Sequence, residues 1–140
     1  MSRTVRDVMT EKPLALQAGT TLVEAAQAMR NHDVGNVLLL DNDTVVGIVT
    51  DRDIVIRAVA EGQDPGQTVL AQISSRDLTS LKVDQPVEEA VKLMEERAVR
   101  RLPVLDEAGR PLGIVSLGDL ALERDPRSAL GQISEAEPNR

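Results

Sequence analysis

Two segments of this 140-residue chain share a pattern suited to binding hydroxyl groups: Gly47-Ile48-Val49-Thr50-Asp51-Arg52-Asp53 and Gly113-Ile114-Val115-Ser116-Leu117-Gly118-Asp119. Each runs glycine, two aliphatics, a hydroxyl, two variable residues and an aspartate. A carboxylate accepts two hydrogen bonds from a vicinal diol, and a neighbouring hydroxyl helps to position a ribose or phosphate oxygen. Thr50 with Asp53, and Ser116 with Asp119, are therefore candidate sugar-binding pairs. The same spacing has a second meaning. A Ser or Thr leaving a strand with an acid three residues on is a capping box, worth roughly 0.5–2 kcal/mol to a helix with no ligand present. Recurrence of the pattern at matching places is what favours a binding role.

Basic residues cluster at Arg97, Arg100 and Arg101, just before the strand-like Leu102-Pro103-Val104-Leu105. Arginine's planar fork matches phosphate oxygens, although such a cluster in an acidic protein also serves as a solvated edge paired with carboxylates. Arg52 and Lys12 are further candidates for the same electropositive spot. The stretch Met9 to Leu14 and its counterpart Ser74 to Thr79 enter strands as extended backbone. They could offer N–H and C=O groups to a base edge, or be ordinary loops. His32 closes a helix, where it suits the negative end of the dipole.

Composition excludes several chemistries. The chain has no cysteine and a single histidine, so neither a thiolate metal site nor a disulfide is available. No histidine-paired serine or carboxylate dyad can be named, and we assign no catalytic residue and no metal ligand. The net charge of −7, from 23 acidic against 16 basic side chains, repels a phosphate backbone. Nucleic acid is therefore not expected as a partner. Phe, Tyr and Trp are absent, so a purine could be held only between aliphatic side chains and read by backbone groups. No apolar run approaches the ~20 residues of a membrane span, and residues 1–12 lack the apolar core of a signal peptide. The expectation is a soluble, cytoplasmic protein.

An internal repeat positions these residues. Shifting the sequence by 65 lays Leu22, Ala25, Ala26 and Met29 onto Val87, Ala90, Val91 and Met94, both with the spacing of a one-faced helix. One extra residue in the next turn moves the offset to 66, and Gly47 to Asp53 then fall on Gly113 to Asp119. Each copy reads strand, helix, strand, turn, strand, helix. The predicted strands are 14–16, 36–40 and 45–49, then 79–82, 102–105 and 112–115; the predicted helices are 22–31, 52–60, 87–98 and 117–123. Thr21 with Glu24 predicts a capping box, and Asp84 with Pro86 predicts an acidic cap and a first-turn proline. Repeat 1 spans residues 1–62, a linker 63–68, repeat 2 spans 69–124, and 125–140 form an extension with a short helix and a frayed tail.

Together these features resemble a tandem pair of CBS (cystathionine β-synthase) domains, a Bateman module. The resemblance rests on the Val8-Met9-Thr10 and Ile73-Ser74-Ser75 segments, the helices leading to Met29 and Met94, and the two motifs ending in Asp53 and Asp119. It implies an α/β fold of two β-α-β-β-α units, with sheets packed face to face about a pseudo-twofold axis and two clefts. It further implies a disc-like homodimer and a regulatory, energy-sensing role: binding of AMP, ADP, ATP or S-adenosylmethionine, relayed to a separate effector protein. Carried over by position, Thr50 with Asp53 and Ser116 with Asp119 would hold ribose. Thr10, Pro13, Leu14, Val34, Gly35 and Asn36 would border one adenine, and Ser75, Leu78, Thr79, Arg101 and Leu102 the other. Arg100 and Arg101 stand where the family often has phosphate-contacting bases. Repeat 1 has Gly35-Asn36 at that place, so the clefts are not equivalent.

Overall fold

The computed structural model describes residues 3–74 and 78–124. Ser75 and the extension 125–140 lie outside the described residues. The elements run α1 (Val5–Val8), β1 (Thr10–Glu11), β2 (Ala15–Gln17), α2 (Leu22–His32), β3 (Asn36–Asp41), β4 (Thr44–Thr50) and α3 (Asp51–Ile54). A π-helical turn (Val55–Val59) continues α3, and α4 (Leu70–Ile73), α5 (Val87–Arg97), β5 (Arg101–Leu105), β6 (Pro111–Ser116) and α6 (Leu117–Arg124) follow.

The chain divides into two compact units that cut across the sequence repeats. Of the described residues, one combines 3–12 with Thr79–Glu107 and 112–124. The other holds Pro13–Leu78 with Ala108–Pro111. In the second, β2, β3 and β4 form a sheet with β2 parallel and β4 antiparallel to β3. Against it pack Leu22, Ala25 and Met29 of α2, Ile54, Ala58, and also Leu70 and Ile73 of α4. In the first, the sheet order is β1-β6-β5, and the core joins Val87, Ala90 and Met94 of α5 to Leu102, Val104, Val115, Leu120 and Val5 of α1.

Residues 3–12, part of repeat 1 in sequence, thus pack with the body of repeat 2, and α4, part of repeat 2 in sequence, packs with the body of repeat 1. The backbone bonds that seat them repeat at the 65-residue offset. Val5 N–H donates to Gln85 C=O at 2.8 Å and Val87 N–H to Arg3 C=O at 3.0 Å. Leu70 N–H donates to Thr20 C=O and Leu22 N–H to Thr68 C=O, both at 2.9 Å. A four-residue helix has no stability of its own, so these bonds and the buried Val5, Leu70 and Ile73 are what form it.

Helix boundaries follow local chemistry. Thr21 and Glu24 close the expected capping box. The second copy differs: Pro86 is itself the N-cap of α5, with no side-chain cap, and Asp84 plays no such part. Gln85 instead braces the turn before the helix, accepting from Lys82 N–H at 2.7 Å and donating to the Glu89 carboxylate at 3.0 Å. Both long helices end in a left-handed residue, Asp33 (φ 56°) and Ala98 (φ 53°). After each, an N–H reaches back five residues, from Val34 to Met29 and from Val99 to Met94.

The strand expected at 79–82 is a single bridge, Leu81 to Val104. The reason lies in Pro103. In the first copy Leu38 N–H donates to Leu14 C=O at 2.8 Å; the matching residue is Pro103, which has no N–H to give Thr79 C=O. The helix expected at 52–60 is α3 plus its π turn.

Gly113 lies beside β1 because nothing larger fits. A Cβ there would stand 2.8 Å from both Met9 Sδ and Thr10 C=O. Gly113→Ala is expected to cost about 1–3 kcal/mol of stability, read by urea unfolding, as β1 is pushed off β6.

Candidate functional site

In each copy an antiparallel strand pair delivers the hydroxyl to a helix start. Asn36 lies opposite Thr50 where β3 begins and β4 ends. One backbone bond closes that corner: Asp51 N–H donates to Gly35 C=O at 2.9 Å. Repeat 2 has the same bond, from Leu117 N–H to Arg100 C=O at 2.8 Å. Gly35 and Arg100, and Asp51 and Leu117, are thus structural equivalents. A Cβ on Gly35 would come 3.0 Å from Asp51 Oδ2, so the acid at 51 and the missing side chain at 35 go together.

At these corners both motifs form capping boxes. Asp53 N–H donates to Thr50 Oγ1 at 3.1 Å while Thr50 N–H donates to Asp53 Oδ2 at 2.8 Å. Asp119 N–H donates to Ser116 Oγ at 3.1 Å while Ser116 N–H donates to Asp119 Oδ2 at 2.9 Å. The box uses one carboxylate oxygen and fixes the side chain's orientation. The other oxygen of Asp53 lies 3.8 Å from Arg57 Nε. Each acid is therefore a positioned acceptor, which is what recognition of a diol requires.

The remaining candidates divide between the units. Pro13, Leu14, Val34, Gly35, Asn36, Thr50, Arg52, Asp53 and Leu78 fall in one; Thr10, Thr79, Arg100, Arg101, Leu102, Ser116 and Asp119 fall in the other. Thr10, grouped by sequence with Leu14 and Val34, instead pairs with Ile114 in the β1–β6 ladder. Leu102 is 1% exposed and part of its unit's core, so only its backbone is available to a ligand. Thr79 C=O lacks the ladder bond that Pro103 cannot donate. Arg52 and Arg100 are exposed, and Arg101 is half-buried at the start of β5. Ser75 lies outside the described residues.

Sequence reasoning missed a cavity of about 420 Å3 in the unit of repeat 2. Its walls are Val91, Met94 and Glu95 of α5, Ala98, Val99 and Arg100 beyond it, and Leu117, Leu120 and Ala121 of α6. Of these only Arg100 is a binding candidate by sequence. The i, i+3 pairs Val91/Met94 and Leu117/Leu120 carried the signal, but such stripes read equally as core. Arg57 was missed as well, though its i+4 spacing from Asp53 is that of a helical ion pair.

Two copies of one α/β unit, each closing on a hydroxyl–acid corner, define a tandem-repeat module. The chain belongs to the CBS-domain family, whose pattern matches residues 5–59 and again 70–124. It is similar to the CBS domain-containing protein YhcV of Bacillus subtilis, 36% identical over 127 residues that cover 91% of this chain and 89% of that one. Hypoxic response protein 1 of Mycobacterium tuberculosis is 36% identical over 134 residues, covering 95% and 92%. An uncharacterized protein of Methanopyrus kandleri, MK0525, is 39% identical over 116 residues, and there this chain spans only 57% of the relative's length. Among solved structures, hypoxic response protein I with two coordinated zinc ions superposes with a TM-score of 0.76 at 36% identity, covering 86% of this chain and 98% of that one. The CBS domain pair of protein MJ0100, in complex with 5′-methylthioadenosine and S-adenosyl-L-methionine, gives 0.81 at 23% identity, covering 91% and 100%; it bears on the fold alone.

The chain has no cysteine and one histidine, and among the described residues no three His, Cys, Asp or Glu side chains converge on a common point that could hold a zinc ion. Among those residues, too, no helix is long and apolar enough to cross a membrane.

Two carboxyls at other helix starts, Glu24 and Asp7, are shifted by the groups that cap them. Glu24 is held below the usual carboxylate range, chiefly by the Thr21 hydroxyl and then by Thr21 N–H. Asp7 is lowered mainly by Thr4 N–H, with the Thr4 hydroxyl and Arg3 and Arg6 adding to it. A depressed folded-state pKa contributes stability above the unfolded carboxyl's pKa and loses it as pH falls through the folded one. Thermal midpoints should therefore drop on acidification below the ordinary carboxylate range, and Glu24→Gln should flatten part of that drop. At the two hydroxyl–acid corners, Thr50→Ala and Ser116→Ala should each cost about 0.5–2 kcal/mol in urea unfolding through the lost cap.

Proposed function

We propose that this chain is a regulatory module that binds an adenosine compound non-covalently, of the class AMP, ADP, ATP or S-adenosylmethionine, and passes occupancy to a separate partner protein. The observation that carries this reading is the twin corner. Two carboxylates, one per copy, are each pinned through one oxygen and present the other at the start of a helix. Ribose is the group that such an acceptor suits, with Thr50 and Ser116 beside it. Arg100 and Arg101 supply cations for phosphate in one copy, and Arg52 in the other. Backbone around Pro13, Leu14, Leu78 and Thr79 provides polar edges for adenine, in a protein with no aromatic ring to stack on it.

The reading assigns no catalytic step. Ligand acts by population shift: it moves an equilibrium only through unequal affinity for two arrangements of the protein. A homodimer built on helix surfaces is part of the proposal, since Val55, Ile56, Val59 and Leu117 expose 43–56% of their area.

A second reading has its own support. Because both motifs satisfy themselves as capping boxes, a ligand-free dimerisation scaffold would use the same residues. Thermal shift separates the two: a ligand at a hundred times its Kd adds about 2.7 kcal/mol to stability. A shift with at least one of the four compounds, reduced by Asp53→Ala or Asp119→Ala, is expected. Silence towards all four would leave the scaffold.

A further inference from the structure

The Asp53 corner has an arginine one helical turn on, where the matching position of repeat 2 has Glu123 in sequence. Arg57, on the π-helical turn, reaches two groups at once: Nε lies 3.8 Å from Asp53 Oδ1, and Nη1 donates to Ile73 C=O at 3.1 Å. Asp53 Oδ1 is the oxygen that the capping box leaves unused. Ile73 is the last residue of α4, the exchanged helix, and five residues later the chain leaves this unit at Leu78. One guanidinium thus joins the acceptor proposed for ribose to the end of the segment leading out of the unit. The π turn matters here, because widening the helix re-aims the residues on it, and such turns are frequent at functional sites. At the matching position of repeat 2 the sequence has Glu123, and the equivalent of Ile73 is Val8.

We propose that Arg57 is a positioning residue for the Asp53 site and the link by which its occupancy reaches α4. This rests on the adenosine-binding reading above. A diol donating to Oδ1 needs the carboxylate in the orientation that Arg57 helps to hold. By reciprocity the bound diol fixes the guanidinium in its turn, and the bond to the Ile73 carbonyl adjusts. Charge and fork geometry are both needed: lysine offers a point charge that cannot serve two acceptors in fixed directions, and glutamine can keep the carbonyl bond without the charge.

The test compares wild type, Arg57→Ala, Arg57→Gln and Arg57→Lys by calorimetry with AMP and S-adenosylmethionine, and by backbone amide NMR of Ser74 and its neighbours with and without ligand. The expected result for Arg57→Ala is about five-fold weaker binding at the Asp53 site, the scale of an exposed ion pair. The Asp119 site, isolated in an Asp53→Ala background, should be unchanged on adding Arg57→Ala. The ligand-induced shift at Ser74 should vanish in Arg57→Ala and Arg57→Gln and return in part in Arg57→Lys. A general loss of stability would weaken both sites alike and would not separate glutamine from lysine. Wild-type affinity in Arg57→Gln, or an undiminished Ser74 response in it, overturns the proposal while leaving adenosine binding in place. Absence of binding by wild type overturns both.

Discussion

The structure depends on a reciprocal trade of one helical turn. The segment that opens each copy is too short to hold its own shape, and it is seated by backbone hydrogen bonds at the helix start of the other copy: α1 against residues 83–87 and α4 against residues 18–22. The core of each unit is completed by the same trade, with Val5 in one cluster and Leu70 and Ile73 in the other. Backbone bonds have no side-chain specificity, which explains how Thr4-Val5-Arg6 and Val69-Leu70-Ala71 fill equivalent places with little identity between them. What the two share is an apolar residue at the buried position and an acceptor side chain three residues after the helix cap: Thr4 N–H donates to Asp7 and Val69 N–H to Gln72.

On that frame the two corners are alike in backbone and unlike in charge. The bond from residue 51 to 35 recurs from residue 117 to 100, so strand, hydroxyl and acid are presented identically. Around the first corner stand Gly35, Asp51, Arg52 and Arg57; around the second stand Arg100, Arg101 and Leu117. The first offers a carboxylate against bare backbone, and the second an exposed guanidinium beside an apolar wall that continues into a cavity of about 420 Å3. One backbone frame thus presents two corners of different electrostatic character.

Much of this was legible in the sequence because it depends on period and spacing. The helix faces at 22–29 and 87–94, the strands leading to Thr50 and Ser116, and the one-residue insertion between copies all follow from side-chain pattern. Family membership followed from their order. What stayed hidden has no periodic signature. Which unit a four-residue helix docks against is decided by backbone donors and acceptors far away in the chain. The collapse of a strand to the bridge at Leu81 depends on one absent N–H, at Pro103, across the sheet. Whether the acids cap a helix or face a ligand was left open by residue type, and the geometry shows that capping engages only one of each carboxylate's two oxygens. The cavity beside α6 was hidden because its walls are the same residue types that would fill it.

The traded turn also says something about origin. Suppose the ancestor was a single copy of about half this length, carrying its own opening turn. The socket on such a molecule accepts that turn from any identical molecule, so two of them would lend each other their first residues and complete both interiors. Joining the two in one polypeptide keeps every one of those bonds and removes the dependence on concentration. In the present chain both turns occupy such sockets within one polypeptide, Val5 in one core and Leu70 with Ile73 in the other.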